Sequence, residues 1–398
     1  MSARLANAVA APVAHASVTA HGFARVASID ILRGLVMVLM ALDHVRDFFT
    51  DVRFDPLDLS QTTAALFLTR WITHFCAPTF VLLAGVSAYL TGRSCTRAEL
   101  SRFLWTRGLW LVVLEVTLMS LVWTFNVRYD HGLFLQVIWA IGVSMLVLAA
   151  LVHLPMPQIA AFSLLIIGGH NLLDGIEPQS FGAWAPLWSL LHVQEPIPYG
   201  FVAYPLIPWI AVMSLGYCIG SLFDLERERR RQWFVYLGAG SLTLFVLLRA
   251  TNVYGDPIDW TLQSTTVRTL LSFVDVHKYP PSLQYVLLTL GAALLSLAAL
   301  ESVRGKFAEV LRTFGRVPLF FYVLHVALAH LAAGIVGLAT GFGTALLSGD
   351  FMQVPQQWGF GLPVVYLAWL LVIATLYPAC RWFAAVKRRR DDWWLSYL

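Results

Sequence analysis

The chain has 398 residues, of which 58% are hydrophobic and only 13% charged, and its mean hydropathy is +0.70. Soluble domains carry roughly 25% charged residues, so this composition excludes an ordinary soluble protein and leaves a polytopic membrane protein. The net charge of +4 resides in short basic clusters between apolar runs, a pattern of membrane topology that excludes a nucleic-acid partner.

Residues 1–24 are rich in Ala and Val and contain Arg4, His15 and His21. They lack a continuous apolar core ahead of a cleavage site and read as a flexible tail, not a cleaved signal. Ten apolar segments follow, near 30–49, 64–92, 103–125, 132–152, 157–173, 201–223, 233–250, 283–301, 316–340 and 361–383. They are continuously apolar and not alternating, so the expected fold is all-α, a bundle of about ten transmembrane helices and not a barrel. Residues 25–386 form one membrane domain, and 387–398 form a basic, aromatic tail in which Trp393 and Trp394 suit an interfacial anchor. The longest polar connections are 174–200 and 251–282, and an eleventh helix, or a re-entrant piece in the second, would fit the same pattern.

Four basic clusters set the orientation. They are Arg93, Arg97, Arg102 and Arg107; Arg227, Arg229, Arg230 and Arg231; Arg304, Lys306, Arg312 and Arg316; and Lys387, Arg388, Arg389 and Arg390. Ten spans place all four on one side, which the positive-inside rule makes cytoplasmic, together with both termini. Cys76, Cys218 and Cys380 fall in or beside apolar runs and Cys95 in a basic loop, with no CxxC motif. Neither a disulfide framework nor a metal is expected.

Charges and histidines inside spans are costly and face a cavity or a partner. In ILRGLVMVLMALDH, residues 31–44, Arg33 and His44 return to nearly one helix face, about 16 Å apart along the axis. Asp30 lies one turn before Arg33 and can pair with it. Arg33 near the cytoplasmic end suits a phosphate-bearing ligand, and His44 near the outer end, beside Asp43, suits proton transfer. Arg70 and His74 lie one turn apart ahead of Pro78, where a backbone group freed by the proline can bond the histidine. Glu115, mid-span in LVVLEVTLM, needs a partner such as a histidine or arginine. Gln136, His170, Asn171, Tyr322, His325 and His330 extend the polar set toward a histidine-rich cavity. The loop with Asp51, Arg53, Asp55, Asp58 and Ser60 reads as solvated, or as a platform for a polar acceptor.

The stretches RVASIDILRGLVMVLMALDHVRDFF, THFCAPTFVLLAGVSAYL and PLFFYVLH, with FLQVIWAIGVSMLVLA and YPLIPWIAVMSLGYCIG, resemble the heparan-alpha-glucosaminide N-acetyltransferase catalytic-domain family over roughly 25–383. The Arg33–His44 spacing also resembles the arginine, ten residues, histidine pattern of the wider membrane acyltransferases that modify bacterial surface sugars. The resemblance implies an enzyme that moves an acyl group, acetyl or longer, from cytoplasmic acyl-CoA to an outer-face sugar or glycan, in a bacterial inner membrane. His44, Asp43, His74 and His325 are then the expected catalytic residues, and Arg33, Arg70, Gln136 and Tyr322 the expected donor-binding ones. The animal enzyme's key histidine lies in a loop before its second span. The loop here, FDPLDLSQTTAALFLTR, has none, so that role does not carry over. The expected partners are the bilayer, acyl-CoA and the glycan acceptor, with oligomerisation left open. Two other readings fit the residues alone: a proton-coupled transporter, and a non-catalytic assembly protein whose polar residues only join helices.

Overall fold

The computed structural model describes residues 26–126, 132–347, 354–390, 392 and 394–395. The expected tail 1–24 and Trp393 lie outside the described residues.

In chain order the helices are α1 (Ala27–Phe49), α2 (Ala64–Trp71), α3 (Cys76–Gly92), α4 (Arg97–Leu114), α5 (Ser120–Thr124), α6 (Val137–Leu151), α7 (Met156–Gly169), α8 (Ala185–His192), α9 (Leu206–Gly220), α10 (Arg227–Thr251), α11 (Thr266–Val274), α12 (Leu283–Leu300), α13 (Lys306–Arg316), α14 (Pro318–Ala339) and α15 (Leu362–Arg389). Polar side chains start several of them. Thr63 caps α2, Thr96 and Glu99 form a capping box on α4, and Ser282 caps α12.

Among the described residues, eight helical units are long and apolar enough to cross a membrane: 64–92, 97–124, 156–173, 206–224, α10, α12, α14 and α15. The protein is an all-α polytopic membrane protein. The ten predicted segments include two more. Helix α1 carries five charges, Asp30, Arg33, Asp43, Arg46 and Asp47, and α6 has 15 residues. Large apolar side chains on α7, α10 and α15, among them Leu165, Leu247 and Leu371, face outward, as lipid-facing surfaces do. Helices α1, α3, α9 and α12 are buried along most of their length and form the centre.

Ion pairs bring three of the basic clusters to one end of the bundle. Arg93 reaches Asp224 at 3.1 Å, Arg230 bonds Glu301, and Arg316 lies 3.8 Å from Asp30. At that end α13 lies directly on α1. A Cβ on Gly34 would sit 1.8 Å from the Leu311 carbonyl oxygen, and one on Gly315 would sit 1.8 Å from that of Asp30. Only glycine permits this backbone approach.

At the opposite end, β1 (Leu133–Leu135), β2 (Pro196–Ile197) and β3 (Gly200–Val202) form a small sheet in the order β1-β3-β2. β1 pairs with β3 in parallel, Leu133 against Gly200, and β2 pairs with β3 antiparallel. The Leu135 carbonyl then accepts from the amides of Ala203 and Tyr204, which fixes Tyr204 at the mouth of the bundle. The long connections are partly helical, since 174–200 contains α8 and 251–282 contains α11.

Candidate functional site

His44 and His325 meet between α1 and α14. His44 Nδ1 lies 2.8 Å from His325 Nε2, and His325 Nδ1 lies 2.9 Å from the Phe321 carbonyl oxygen. The rings are tilted by 11° with centroids 5.0 Å apart, so they lie edge to edge and nearly in one plane, not face to face. A carbonyl oxygen only accepts, so His325 Nδ1 carries the proton and donates. In neutral His325, Nε2 is then an acceptor, and His44 Nδ1 donates to it. This assignment follows from the hydrogen-bond chain. It leaves the lone pair of His44 on Nε2. That nitrogen has no hydrogen-bond partner among the described residues. Trp123 lies edge-on to His44 at 4.9 Å and Tyr322 at 5.9 Å, forming the walls around it.

One residue before His44 an ion network begins. Asp43 accepts from Arg70 at 2.6 Å through one oxygen and from Arg46 at 2.9 Å through the other, and Arg46 also donates to Asp47 at 2.7 Å. These side chains are largely buried, so each charge needs its partner. Tyr279 sits beside Arg70 and packs edge-on against Tyr204, with ring centroids 5.3 Å apart. In the connection before α12, burial raises the Tyr279 phenol, but the charges of Lys278 and Arg70 and the neighbouring Tyr204 hydroxyl outweigh it and hold the phenol below its usual value. Lys278, itself buried, lies 5.0 Å from the Tyr279 ring.

His74 borders the same network and is 1% exposed, yet neither ring nitrogen has a partner among the described residues. The predicted bond to a group freed by Pro78 takes a different form. Pro78 has no N–H, so the carbonyl four residues back, that of His74 itself, loses its helical partner. Tyr285 Oη donates to it at 2.7 Å, and residues 72–75 tighten into a 3₁₀ turn. The amide nitrogen of Gln136, at the start of α6, is also buried without a partner among the described residues. Buried polar atoms of this kind accept water or a ligand.

One expectation is corrected. Among the described residues Glu115 pairs with no histidine or arginine. Its side chain accepts from the backbone amide of Trp139 at 2.9 Å, and so caps the N-terminus of α6. His330 is a structural pin between the carbonyls of Val122, 3.1 Å away, and Leu346, 3.0 Å away, and stacks on Phe125. Arg53 is tied to the carbonyls of Thr50, Val52, Pro355 and Trp358, and Asp58 to Ser60 and Gln61, so that loop is held by its own bonds.

Arg33 stays at the basic end. It donates to Ser87 Oγ at 2.9 Å and to the Gly315 carbonyl at 3.4 Å, and lies 3.5 Å from Asp30. The structure thus brings together Asp43, His44, Arg70, His74, Tyr322 and His325 and keeps Arg33 apart, eleven residues or about 16 Å along α1. Lys278, Tyr279 and Tyr204 belong to the network and were missed in the sequence. The local signal was a Tyr-Pro step, Tyr204-Pro205 before α9 and Tyr279-Pro280 before α12, which recurs at Tyr377-Pro378 within α15 and so is not specific. A groove of about 520 Å³ between α4 and α6, lined by Arg102, Trp105 and His153, contains none of these residues.

The fold and this polar interior define an integral membrane protein of the helical polytopic class. Residues 25–249 match the family described as heparan-alpha-glucosaminide N-acetyltransferase, catalytic. The match covers more than half of the chain, and the protein belongs to that family, which points to a membrane acetyltransferase. It ends within α10, so Lys278, Tyr279, Tyr322 and His325 are contributed from beyond it. No curated protein matches the chain.

Proposed function

We propose that this protein transfers an acyl group, acetyl in the simplest case, from acyl-CoA on the basic, cytoplasmic side of a bacterial inner membrane to a hydroxyl or amino group of a sugar or glycan on the other side. The observation that carries this reading is the relay Phe321 C=O, His325, His44, which leaves one basic nitrogen, His44 Nε2, beside a buried ion network. The basic clusters and Arg33 support a donor phosphate site at their end. Tyr322, Gln136, Arg70 and His74 line the path inward.

In the proposed step His44 Nε2 takes the proton of the acceptor O–H or N–H as the new C–O or C–N bond forms to the thioester carbonyl. The C–S bond breaks, and the CoA thiolate leaves with the proton from the imidazolium. His325 holds His44 in the reactive tautomer and stabilises its charged form, as an orienting group does for a histidine base. Asp43 fixes Arg70 and Arg46 around the site and leaves the relay free of direct competition.

The test is transfer of labelled acetyl from acetyl-CoA to an amino-sugar acceptor by protein in nanodiscs. Wild type transfers label, and His44→Ala loses at least about 100-fold, the usual contribution of a general base. Full transfer by His44→Ala would remove His44 from the chemistry. Absence of any acyl-CoA binding by wild type would overturn the donor assignment.

A further inference from the structure

The connection after α7 folds into a second histidine cluster that this chemistry does not use. His170 begins the 3₁₀ turn His170–Leu173, Asp174 ends it, and His192 is the last residue of α8. One ligand atom from each of the three lies within 4.8 Å of the other two. His170 is 2% exposed and His192 1%. Neither nitrogen of His170 has a hydrogen-bond partner among the described residues, and neither does Nδ1 of His192. A neutral imidazole has one N–H and one lone pair, so His170 buries both a donor and an acceptor unpaired, which costs on the order of 1–3 kcal/mol per group. A fold rarely keeps such a residue unless something else satisfies it.

The surroundings are arranged for a cation. Asp174 Oδ1 already faces His192 Nε2 at 2.9 Å. Its other oxygen accepts from Asn171 Nδ2 at 2.7 Å, and Asn171 Oδ1 accepts from the Leu283 amide of α12 at 2.8 Å. The carboxylate is therefore oriented by a side chain that is itself anchored to the bundle, as the supporting groups of metal ligands are. Asp174 is the partly exposed member, with 23% of its side chain accessible, which gives an entry path.

The geometry points to a divalent transition-metal site, of the zinc class, formed by His170, Asp174 and His192. Two imidazoles and one carboxylate are a borderline N/O donor set, and three protein ligands leave a fourth tetrahedral position for water or solute. Ligand distances of about 2.0–2.2 Å put tetrahedral ligand atoms roughly 3.4 Å apart, so on binding the wider pairs close and any pair as close as the 2.9 Å Asp174–His192 contact opens. The ion fastens α8 to the end of α7 and so pins the 174–200 connection, which carries β2 and leads into β3 and Tyr204. No spacing in the chain signals this site, because Asp174 and His192 are 18 positions apart and form no standard metal-ligand motif. This site does not depend on the acyl-transfer reading.

The test uses full-length protein in detergent, freed of any histidine tag and stripped with chelator, then titrated with Zn²⁺ alone. Binding of one Zn²⁺ per chain, with a rise in the unfolding temperature, is expected. His170→Ala and His192→Ala should each weaken binding at least about 10–100-fold. Co²⁺ added to wild type should give the intense visible bands of tetrahedral coordination, a readout independent of how the variants fold. Zinc binding that persists in the double variant, or wild type that retains no Zn²⁺ and shows no tetrahedral Co²⁺ spectrum, would overturn the assignment.

Discussion

His44 and His325 are 281 residues apart in sequence, and their ring nitrogens are 2.8 Å apart in space. The pair is a relay with one direction, because the Phe321 carbonyl determines which nitrogen of His325 holds the proton. His325→Ala leaves His44 free to rotate and to take the other tautomer. Turnover should fall about 10–100-fold with KM for acyl-CoA little changed, since the lost interaction acts on the base and not on donor binding. His325→Gln offers an amide oxygen to His44 and should recover part of the loss. Steady-state kinetics on the two variants decides this. Equal activity in wild type and His325→Ala would show that the relay does not orient His44.

Asp43 neutralises Arg70 and Arg46 together. Arg70→Met leaves Arg46 as the carboxylate's one close partner, and Asp43→Asn leaves two guanidinium groups facing each other. Removing one partner of a buried pair costs about 3–5 kcal/mol, whereas replacing both is far milder. The double variant Asp43→Asn, Arg70→Met should therefore be more stable than the sum of the single losses predicts. Thermal unfolding in detergent measures this, and strict additivity would show that the two side chains are not coupled.

Glu115→Ala removes the acceptor at the start of α6 and strands backbone N–H groups in a buried position. A loss of about 1–3 kcal/mol follows. Glu115→Gln keeps an acceptor oxygen and should lose less. If both variants are equally destabilised, the charge itself and not the capping bond is what matters there.

Asp275, in the connection ahead of α12, has its carboxyl pushed up to about 7, first by burial and then by the charge of Asp55, against the pull of Arg249. Its folded value lies above its unfolded one, so the fold favours the protonated form. This group therefore supports stability at acidic pH, and that support is lost as pH rises from about 4 to about 7. Asp275→Asn mimics the protonated state. Relative to wild type it should gain stability at pH 8 and little at pH 4, read as unfolding temperature against pH. A pH-independent difference would exclude this titration.

Most of the fold was legible in the sequence because lipid enforces continuous apolar helices, and their limits fall near those of the structure. The site was legible in part. Asp43, His44, Arg70, His74 and His325 stood out as polar residues in apolar runs, but no spacing rule joins α1 to α14. Glu115 was given the wrong partner because a buried acid seems to call for a base, and a helix N-terminus supplies the same positive field. Lys278 and Tyr279 went unread because they lie in a connection, where polar residues carry no signal, and Tyr204 because a tyrosine at the start of an apolar segment reads as an interfacial residue. His170 and Asn171 were noted only as the end of a span, and their roles depend on the path of the chain through α8.

The contact of Gly315 with Asp30 and Gly34 carries a mechanical implication. It locks α13 onto α1 at the basic end, and α14 starts two residues after α13 ends; from Gly34 on α1 and from Pro318 on α14 the helices run ten and seven residues, roughly 15 Å and 10 Å, before presenting their histidines. The two helices behave as the paired scales of a vernier zeroed at the glycines. A slip of about 1 Å at the zero mark carries undiminished along the rods and is enough to part a hydrogen bond of 2.8 Å. A methyl group inserted as a shim at position 315 would thus be read out at His44, at the other end of the scale, without touching it.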